Sequence, residues 1–292
     1  MPKESISKTA QVNLMMLRYL GVPEAVAFSE ALQLEGDPLE SLNNPATAAF
    51  MSRIQLGISC VSEVLYQSAN QLILEADNPT ILDVACGYSP RVLLMASRGY
   101  TYIGADLPDV IGDLMARRDE ILPDDAECFA GYRTVNAADE EQMRRVLGAL
   151  REPITVVTQG LLSYLTLEQK RTMAKSIREL LERDGGCWVI PDVDSGSLMK
   201  DTFRAVLGGM AAGIVNGVMS FHAKSVGRDR SKMTWCSADE IEQALCELGF
   251  SVRRVPLLRD GMDMRCFGYM GDGVADRVRA AWQNKSSIVA TS

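Results

Sequence analysis

Hydrophobic residues along this chain alternate between helical periods and short continuous runs, and this alternation predicts an α/β protein. Before the first apolar run, amphipathic spacing predicts helices at residues 7–20, 26–34 and 44–75. Apolar and β-branched runs predict strands at residues 81–84, 102–103, 132–135, 154–158, 187–191, 252–257 and 264–270. Because helical segments separate all but the last two runs, most strands are expected to pair in parallel.

The expected architecture is a doubly wound, mostly parallel Rossmann-like sheet, with a C-terminal antiparallel hairpin formed by the last two runs. Residues 1–76 are predicted to form a helical cap. This cap either closes over a site at the strand ends and excludes water, or only covers an edge or face of the sheet. Residues 77–284 would form the core domain, with a helical insertion at about 196–235. Residues 285–292 are expected to be a disordered tail.

Glycines recur at four-residue spacing in the predicted insertion, at Gly209, Gly213 and Gly217. In a helix this spacing gives one small face on which another helix can pack closely. We expect the face to pack within the chain or in a homodimer, and a substrate-facing groove is the less favoured interpretation.

The net charge of the chain limits the kinds of ligand that it is expected to bind, and the distribution of its cysteines indicates its redox environment. The 292 residues carry a formal net charge of −8 and contain no basic stripe, which argues against nucleic acid and favours a small-molecule substrate. The seven cysteines are scattered without a CxxC pair, as expected for reduced thiols in a cytoplasmic protein without a structural metal. The N-terminal MPKESISK lacks the apolar core of a signal peptide, and residues 205–221 are too short and glycine-rich to span a membrane.

The segment most indicative of a ligand is TILDVACGYSPRVLLMASRGYTYIGAD, residues 80–106. It predicts a strand, a glycine turn, a helix and a second strand that ends in Asp106, which is half of a nucleotide-binding unit. Only Gly87 occupies the loop, where a dinucleotide site has three glycines, and the first strand carries Asp83. Carboxylates at these places suit a ligand with cationic groups and a ribose diol but no phosphate, such as S-adenosyl-L-methionine. The alternative is an ordinary βαβ unit with a structural turn.

Taken together, the segments resemble class I S-adenosylmethionine-dependent methyltransferases. More narrowly, they resemble the leucine carboxyl methyltransferase group, which includes polyketide carboxyl O-methyltransferases. Four stretches carry the resemblance: ISKTA at 6–10, AAFMSRIQLG at 48–57, LDVACGYSPR at 82–91 with GADLP at 104–108, and VVTQGLLSYLTLEQ at 156–169.

The resemblance implies a cofactor site, residue by residue. Arg53 would hold the cofactor carboxylate, with Lys8 assisting. The group that would contact the methionyl part comprises Asp83, Ala85 and Gly87. The group that would contact the ribose and adenine comprises Asp106, Leu107, Asn136 and Ala137. Gln159 departs from the glutamate that the family often has, which puts an unchanged substrate and mechanism in doubt.

The resemblance predicts methyl transfer to a small-molecule carboxylate or hydroxyl in secondary metabolism. A carboxylate acceptor needs no base, whereas a hydroxyl would profit from one. Gln159, Tyr164 and the chain's single histidine, His222, are the catalytic candidates, although a surface or structural histidine is the favoured interpretation of His222. Tyr132 and Tyr164 are candidate pocket walls or core residues. Asp192 and Asp194 either touch substrate or are solvated loop acids.

Two alternatives stay open. In the first, the α-amine of S-adenosylmethionine attacks its own γ-carbon and gives azetidine-2-carboxylate and methylthioadenosine. The enclosing helices and the Gln159 departure are compatible with this cyclase activity. In the second, the protein binds the cofactor without turnover, which the Arg53, Asp83 and Asp106 set disfavours.

Overall fold

A computed structural model of the chain describes residues 3–34, 36, 47–122, 130–225, 235 and 237–292, without the side chains of residues 3–9, 130 and 218–225. Within these ranges, no helix is both long enough and apolar enough to cross a bilayer. The predicted helix start at Asn44 and Pro45 lies outside them.

The described residues form one seven-stranded sheet with the order β3-β2-β1-β4-β5-β7-β6. Only β7 runs antiparallel to its neighbours. The strands are β1 Thr80–Val84, β2 Thr101–Asp106, β3 Ala130–Thr134, β4 Ile154–Thr158, β5 Gly186–Ile190, β6 Ser251–Pro256 and β7 Ser286–Thr291. This confirms the doubly wound, mostly parallel sheet with a C-terminal antiparallel pair.

Helices cover both faces of the sheet. In chain order they are α1 Lys3–Tyr19, α2 Pro23–Ala31, α3 Ala48–Ala76, α4 Arg91–Ala96, α5 Pro108–Ala116, α6 Arg118–Ile121, α7 Glu140–Gly148, α8 Leu167–Asp184, α9 Ser195–Leu207, α10 Gly209–Ser225, α11 Ala238–Glu247 and α12 Asp272–Trp282. Helix α3 packs on β4, β5 and β7, with α9 and α12 stacked beyond it. Helix α8 packs on β4 and β5, and α11 packs on β6 and β7.

The strands are buried on both faces because their neighbouring residues belong to different cores. Ile81 joins the core beneath α3, whereas Leu82 joins the core beneath α8 and α11. The N-terminal helices therefore occupy two different positions. Helix α3 is part of the layer that covers the sheet, whereas α1 reaches the strand ends, where Ala10 approaches Gly87.

The C-terminal part differs from the prediction. Residues 264–270 are not a strand, because Arg265–Tyr269 forms a 3₁₀ helix. The buried carboxylate of Glu63, on α3, accepts the backbone N–H groups of Arg265 at 2.8 Å and Cys266 at 2.9 Å. These two hydrogen bonds orient the segment as a helical turn, and nothing in the local sequence of 264–270 indicates them.

The predicted disordered tail at 285–292 is also wrong. Strand β7 occupies Ser286–Thr291, between β5 and β6, with Ile288 and Ala290 fully buried. Its run SSIVAT has the β-branched and apolar composition of a strand, but its position at the chain end suggested fraying.

The glycine face of α10 packs on nothing within the described part of the chain. Cβ atoms added at Gly209, Gly213 and Gly217 would have no neighbour within 4 Å, so the predicted close packing of this face is not found among the described residues. The close helix contact lies elsewhere, at Gly57 on α3, where a Cβ would come within 2.8 Å of the Phe203 ring on α9. A homodimer through α10 stays a prediction.

Candidate functional site

A cavity of about 750 Å³ opens at the carboxyl ends of the central strands. Its walls include residues that follow β1, β2, β4 and β5, together with the faces of α1 and α3 that look toward the strand ends. The sheet order reverses direction between β1 and β4, and ligands of doubly wound sheets bind at such switch points. Its volume fits a cofactor-sized ligand.

The loop after β1 is a tight turn beneath α1. Ala85 and Gly87 adopt left-handed conformations, with φ of 58° and 54°. The backbone N–H groups of Ala85 and Cys86 both donate to the carbonyl oxygen of Ala105, at 2.7 and 3.2 Å. A Cβ at Gly87 would lie 2.9 Å from the Cβ of Ala10, so only glycine fits there without a shift of α1.

Gly87→Ala is therefore expected to destabilise the protein more than Gly99→Ala. Gly99 also has a positive φ, of 82°, but has no neighbour within 4 Å of its added Cβ. Both variants should be destabilised by about 1–2 kcal/mol, because alanine is strained in the left-handed conformation. Gly87→Ala should lose about 1 kcal/mol more because it overpacks against Ala10. Urea unfolding of the two variants measures the difference, and equal losses would contradict the close approach of α1.

Asp106 ends β2 as a buried carboxylate that faces the cavity. Its Oδ2 accepts the N–H of Gly87 at 2.6 Å, and its Oδ1 accepts the N–H of Leu107 at 2.7 Å. Burial raises the pKa of Asp106, while these two backbone hydrogen bonds act in the opposite direction. The bonds fix the orientation of the carboxylate, and each oxygen retains a lone pair with which it can accept a ligand hydroxyl.

Asp83 is engaged inside the protein. The carboxylate is 1% exposed, forms an ion pair with Arg91 and accepts the hydroxyl of Tyr102 at 2.9 Å. It lines the cavity, but its negative charge is neutralised by Arg91, itself 1% exposed. No role was predicted for Arg91 from the sequence. Its position in the first turn of α4, shortly after the strand that carries Asp83, could have indicated an ion pair between the two residues.

Arg91 joins three further residues to this pair. Its Nε donates to Oδ1 of Asn70 at 2.7 Å, and its Nη2 donates to Oε1 of Gln159 at 2.8 Å. Its guanidinium also lies 5.4 Å from the centre of the Tyr66 ring. The Arg91 network therefore connects β1, α3, α4 and the end of β4 beneath the cavity.

The network accounts for glutamine at position 159. One buried guanidinium already faces the carboxylate of Asp83, so a neutral acceptor at 159 keeps the cluster without net charge. A glutamate there would place a second buried carboxylate on the same cation, at a desolvation cost. In this structure Gln159 acts as a partner of Arg91 and also lines the cavity.

The residues predicted to contact the adenine lie together at the end of the cavity near Asp106. Leu107, Asn136 and Ala137 all line it, beside Asp106. Oδ1 of Asn136 accepts the N–H of Ala138 at 3.0 Å, which directs the acceptor of the side-chain amide into its own loop. The remaining NH₂ group of Asn136 is a donor, whereas an ionised acid at this position would only accept hydrogen bonds.

Three other predicted residues are not among the described residues of the cavity wall. Arg53 is exposed and is not among the described residues of the cavity wall, so its assignment to the cofactor carboxylate gains no support here and stays a prediction. It is five residues before Ile58, which does line the cavity, and that spacing places it about 140° away around α3. The side chains of Lys8 and His222 lie outside the description.

The two tyrosines differ in position. Tyr164 lines the cavity, as predicted. Tyr132 is buried behind the glycine loop, and its ring would contact a Cβ added at Gly104 at 2.9 Å. Tyr132 is therefore a core residue, which was the alternative left open for it.

The two acids after β5 also differ in their position relative to the cavity. Asp192 lines the cavity, and its Oδ2 accepts the N–H of Gly160 at 2.9 Å. Asp194 does not line it, and its Oδ1 accepts the N–H of Ala238 at 3.2 Å, at the start of α11. Among the described residues, no group of three or more histidine, cysteine or acidic side chains could hold a metal ion.

No protein-family model matches the chain, and no curated protein sequence matches it. Similar solved structures include the methyltransferase domain of bacterial CtHen1-CN, with 11% identity, a TM-score of 0.49, and coverage of 80% of this chain and 100% of that domain. Human N-acetylserotonin methyltransferase in complex with SAM has 12% identity, a TM-score of 0.46 and coverage of 95% and 69%. An O-methyltransferase family protein from Burkholderia thailandensis has 13% identity, a TM-score of 0.47 and coverage of 96% and 70%. These values are too low to assign the chain to a family.

Proposed function

We propose that the protein is an S-adenosylmethionine-dependent methyltransferase that acts on a small molecule. The observation that carries the proposal is the Asp106 carboxylate, held by the N–H groups of Gly87 and Leu107 at the carboxyl end of β2. A fixed acid in this place suits the two hydroxyls of a ribose. The apolar residues beside it, Leu107 and Ala137, suit the faces of an adenine ring.

The charges around the cavity favour a cationic ligand over a phosphate. Its described wall contains three carboxylates, of Asp83, Asp106 and Asp192, and one cation, Arg91, which is paired with Asp83. A pyrophosphate would meet net negative charge, whereas a sulfonium and an ammonium would be attracted. This supports S-adenosylmethionine over a dinucleotide as the cofactor.

Methyl transfer requires little of the protein beyond positioning the cofactor and the acceptor. When bound, S-adenosylmethionine supplies a methyl group on positive sulfur, which is already activated for displacement. Asp106 would hold the ribose, the Gly87 loop would pass close to the amino-acid part, and Gln159 would lie on the acceptor side, fixed by Arg91. Helices α1 and α3 restrict water at the reacting centre, so positioning and desolvation supply the rate. The motifs at 82–91 and 156–169 support a relationship to the leucine carboxyl methyltransferase group.

Asp106→Asn is expected to weaken S-adenosylmethionine binding by more than tenfold, because an amide removes the charge and one of the two acceptors. Isothermal titration calorimetry measures the affinity, and circular dichroism checks that the variant is folded. Asp109→Asn is the matched control, since Asp109 is exposed in the first turn of α5. Unchanged affinity in folded Asp106→Asn would contradict the ribose assignment.

The reaction itself is tested by product analysis. The protein is incubated with S-adenosylmethionine alone, and with added phenols, alcohols and carboxylic acids, and nucleoside products are identified by mass spectrometry. A methyltransferase forms S-adenosylhomocysteine only when an acceptor is present. Methylthioadenosine in the absence of any acceptor would contradict the proposal and favour the cyclase alternative.

A further inference from the structure

Asp192 occupies the end of the cavity opposite the predicted adenine contacts. It follows β5, which lies next to β4 on the side away from β1 and β2. Across the strand ends the cavity groups therefore come in the order Asp106, Gly87, Gln159 and Asp192. A cofactor held by its ribose at Asp106 and by its amino-acid part at the Gly87 loop leaves the space beside Asp192 for a second substrate.

Only one oxygen of the Asp192 carboxylate accepts a hydrogen bond from another described residue. Oδ2 accepts the N–H of Gly160, whereas Oδ1 is shielded from solvent and has no hydrogen-bond partner among the described residues. Buried polar atoms are normally satisfied, so an oxygen in this state calls for a donor. The last torsion of an aspartate is broad, and a small rotation about it turns Oδ1 to the cavity while Oδ2 stays near Gly160.

We propose that Asp192 binds the acceptor's hydroxyl group and takes its proton during methyl transfer, so that the acceptor is a small alcohol or phenol. This inference rests on the proposed methyltransferase function. In the step, the bond between methyl carbon and sulfur breaks and its electron pair stays on sulfur, giving neutral S-adenosylhomocysteine. The acceptor oxygen forms the new bond to the methyl carbon, and its proton passes to Oδ1 of Asp192.

The same geometry disfavours a carboxylate acceptor. An ionised acceptor carboxylate beside Asp192 would bring a second negative charge to the same site, and two like charges that share a site repel each other. The one cation in the described cavity wall, Arg91, is already bound to Asp83 and Gln159. A hydroxyl supplies the donor that Oδ1 lacks without adding charge.

The role of Asp192 gives the rate a defined pH dependence. Burial raises the pKa of Asp192 to about 6, and the N–H groups of Gly160 and of Asp192 itself act in the opposite direction. The facing residues from α8 and α9, Gln169, Ser195 and Met199, are uncharged. The remaining titratable groups of the cavity wall are Asp83, Arg91, Asp106, Cys86, Tyr66, Tyr88 and Tyr164. Since the ionised form accepts the proton, the rate should rise with pH through about 6 and then level off.

The test compares Asp192→Asn with Asp194→Asn, a matched control in the same loop that points away from the cavity. Asparagine retains an oxygen for the Gly160 N–H but cannot accept a proton. Calorimetry measures S-adenosylmethionine binding to each protein. NMR titration measures binding of phenol, benzyl alcohol and benzoate to each protein saturated with S-adenosylhomocysteine. Turnover of the same three probes is followed with methyl-tritiated cofactor between pH 5 and 9.

We expect phenol or benzyl alcohol to bind Asp192→Asn at least tenfold more weakly than wild type, and benzoate to bind the variant at least as well. For any hydroxyl probe that is methylated, kcat should fall about 100-fold or more and the rise with pH should disappear. Asp194→Asn should match wild type, and cofactor affinity should stay within twofold in both variants.

The inference is overturned if the hydroxyl probes bind wild type and Asp192→Asn equally or bind neither. It is also overturned if benzoate is the preferred ligand or the methylated probe, or if Asp192→Asn loses cofactor affinity. Failure of the wild-type protein to bind S-adenosylmethionine is a separate result, because it contradicts the proposed function itself.

Discussion

Deletion of residues 285–292 is expected to abolish the folded protein. Strand β7 lies between β5 and β6, so its loss leaves β5 paired only with β4 and leaves β6 without a partner in the sheet. It also removes Ile288 and Ala290 from one core and Val289 from the core on the other face, so apolar surface becomes exposed on both faces of the sheet. The loss is comparable with the whole stability of a domain, about 5–15 kcal/mol.

Thermal unfolding followed by circular dichroism, together with the soluble yield, measures this effect. Removal of Ser292 alone is the control, because this residue is exposed and follows the end of β7. A protein shortened at Asn284 that stays soluble and melts at the wild-type temperature would show that residues 285–292 are a dispensable tail after all.

Arg91→Met is expected to lower the free energy of unfolding by about 3–5 kcal/mol, because it leaves the buried carboxylate of Asp83 without its counter-charge. The amide oxygens of Asn70 and Gln159 lose a donor at the same time. Methionine keeps an unbranched side chain of similar length, so the loss reports on charge and hydrogen bonds more than on packing. Urea unfolding at pH 7 measures it.

The double variant Asp83→Asn with Arg91→Met separates the effect of an unpaired buried charge from the effect of the changed side-chain volume. Asparagine retains an oxygen for the Tyr102 hydroxyl but carries no charge. We therefore expect the double variant to be more stable than Arg91→Met alone, with a coupling energy of about 1–3 kcal/mol. If the two single losses simply add, the ion pair is not the reason for the destabilisation.

Much of the fold was predictable because its signals are local. The run at 154–158 is β-branched and buried, and it is β4 within the same limits. The predicted helix start at Leu107 and Pro108 corresponds to α5, which begins at Pro108. Period and composition determine such elements before any tertiary contact forms.

The candidate site was predictable in part for the same reason. Asp106, Gly87 and Gln159 each lie directly at the end of a strand, and parallel strands bring their carboxyl ends to one edge. Arg53 lies instead on a long helix, where a residue faces the cavity or solvent according to the rotation of that helix. That rotation is set by packing of α3 on the sheet and on α9, and no local motif encodes it.

Sequence pattern was sufficient for most of the strands and helices as far as β6, for the parallel sheet and for the acidic positions at its edge, because each depends on neighbours along the chain. Tertiary structure decided how those acids are used. It paired Asp83 with Arg91, oriented Asp106 through two backbone N–H groups, and left Oδ1 of Asp192 without a partner beside the cavity. It also gave β7 its place in the sheet and made 265–269 a helical turn on Glu63. Charge, burial and hydrogen bonding of a side chain depend on residues distant in sequence, so these outcomes follow only from the folded arrangement.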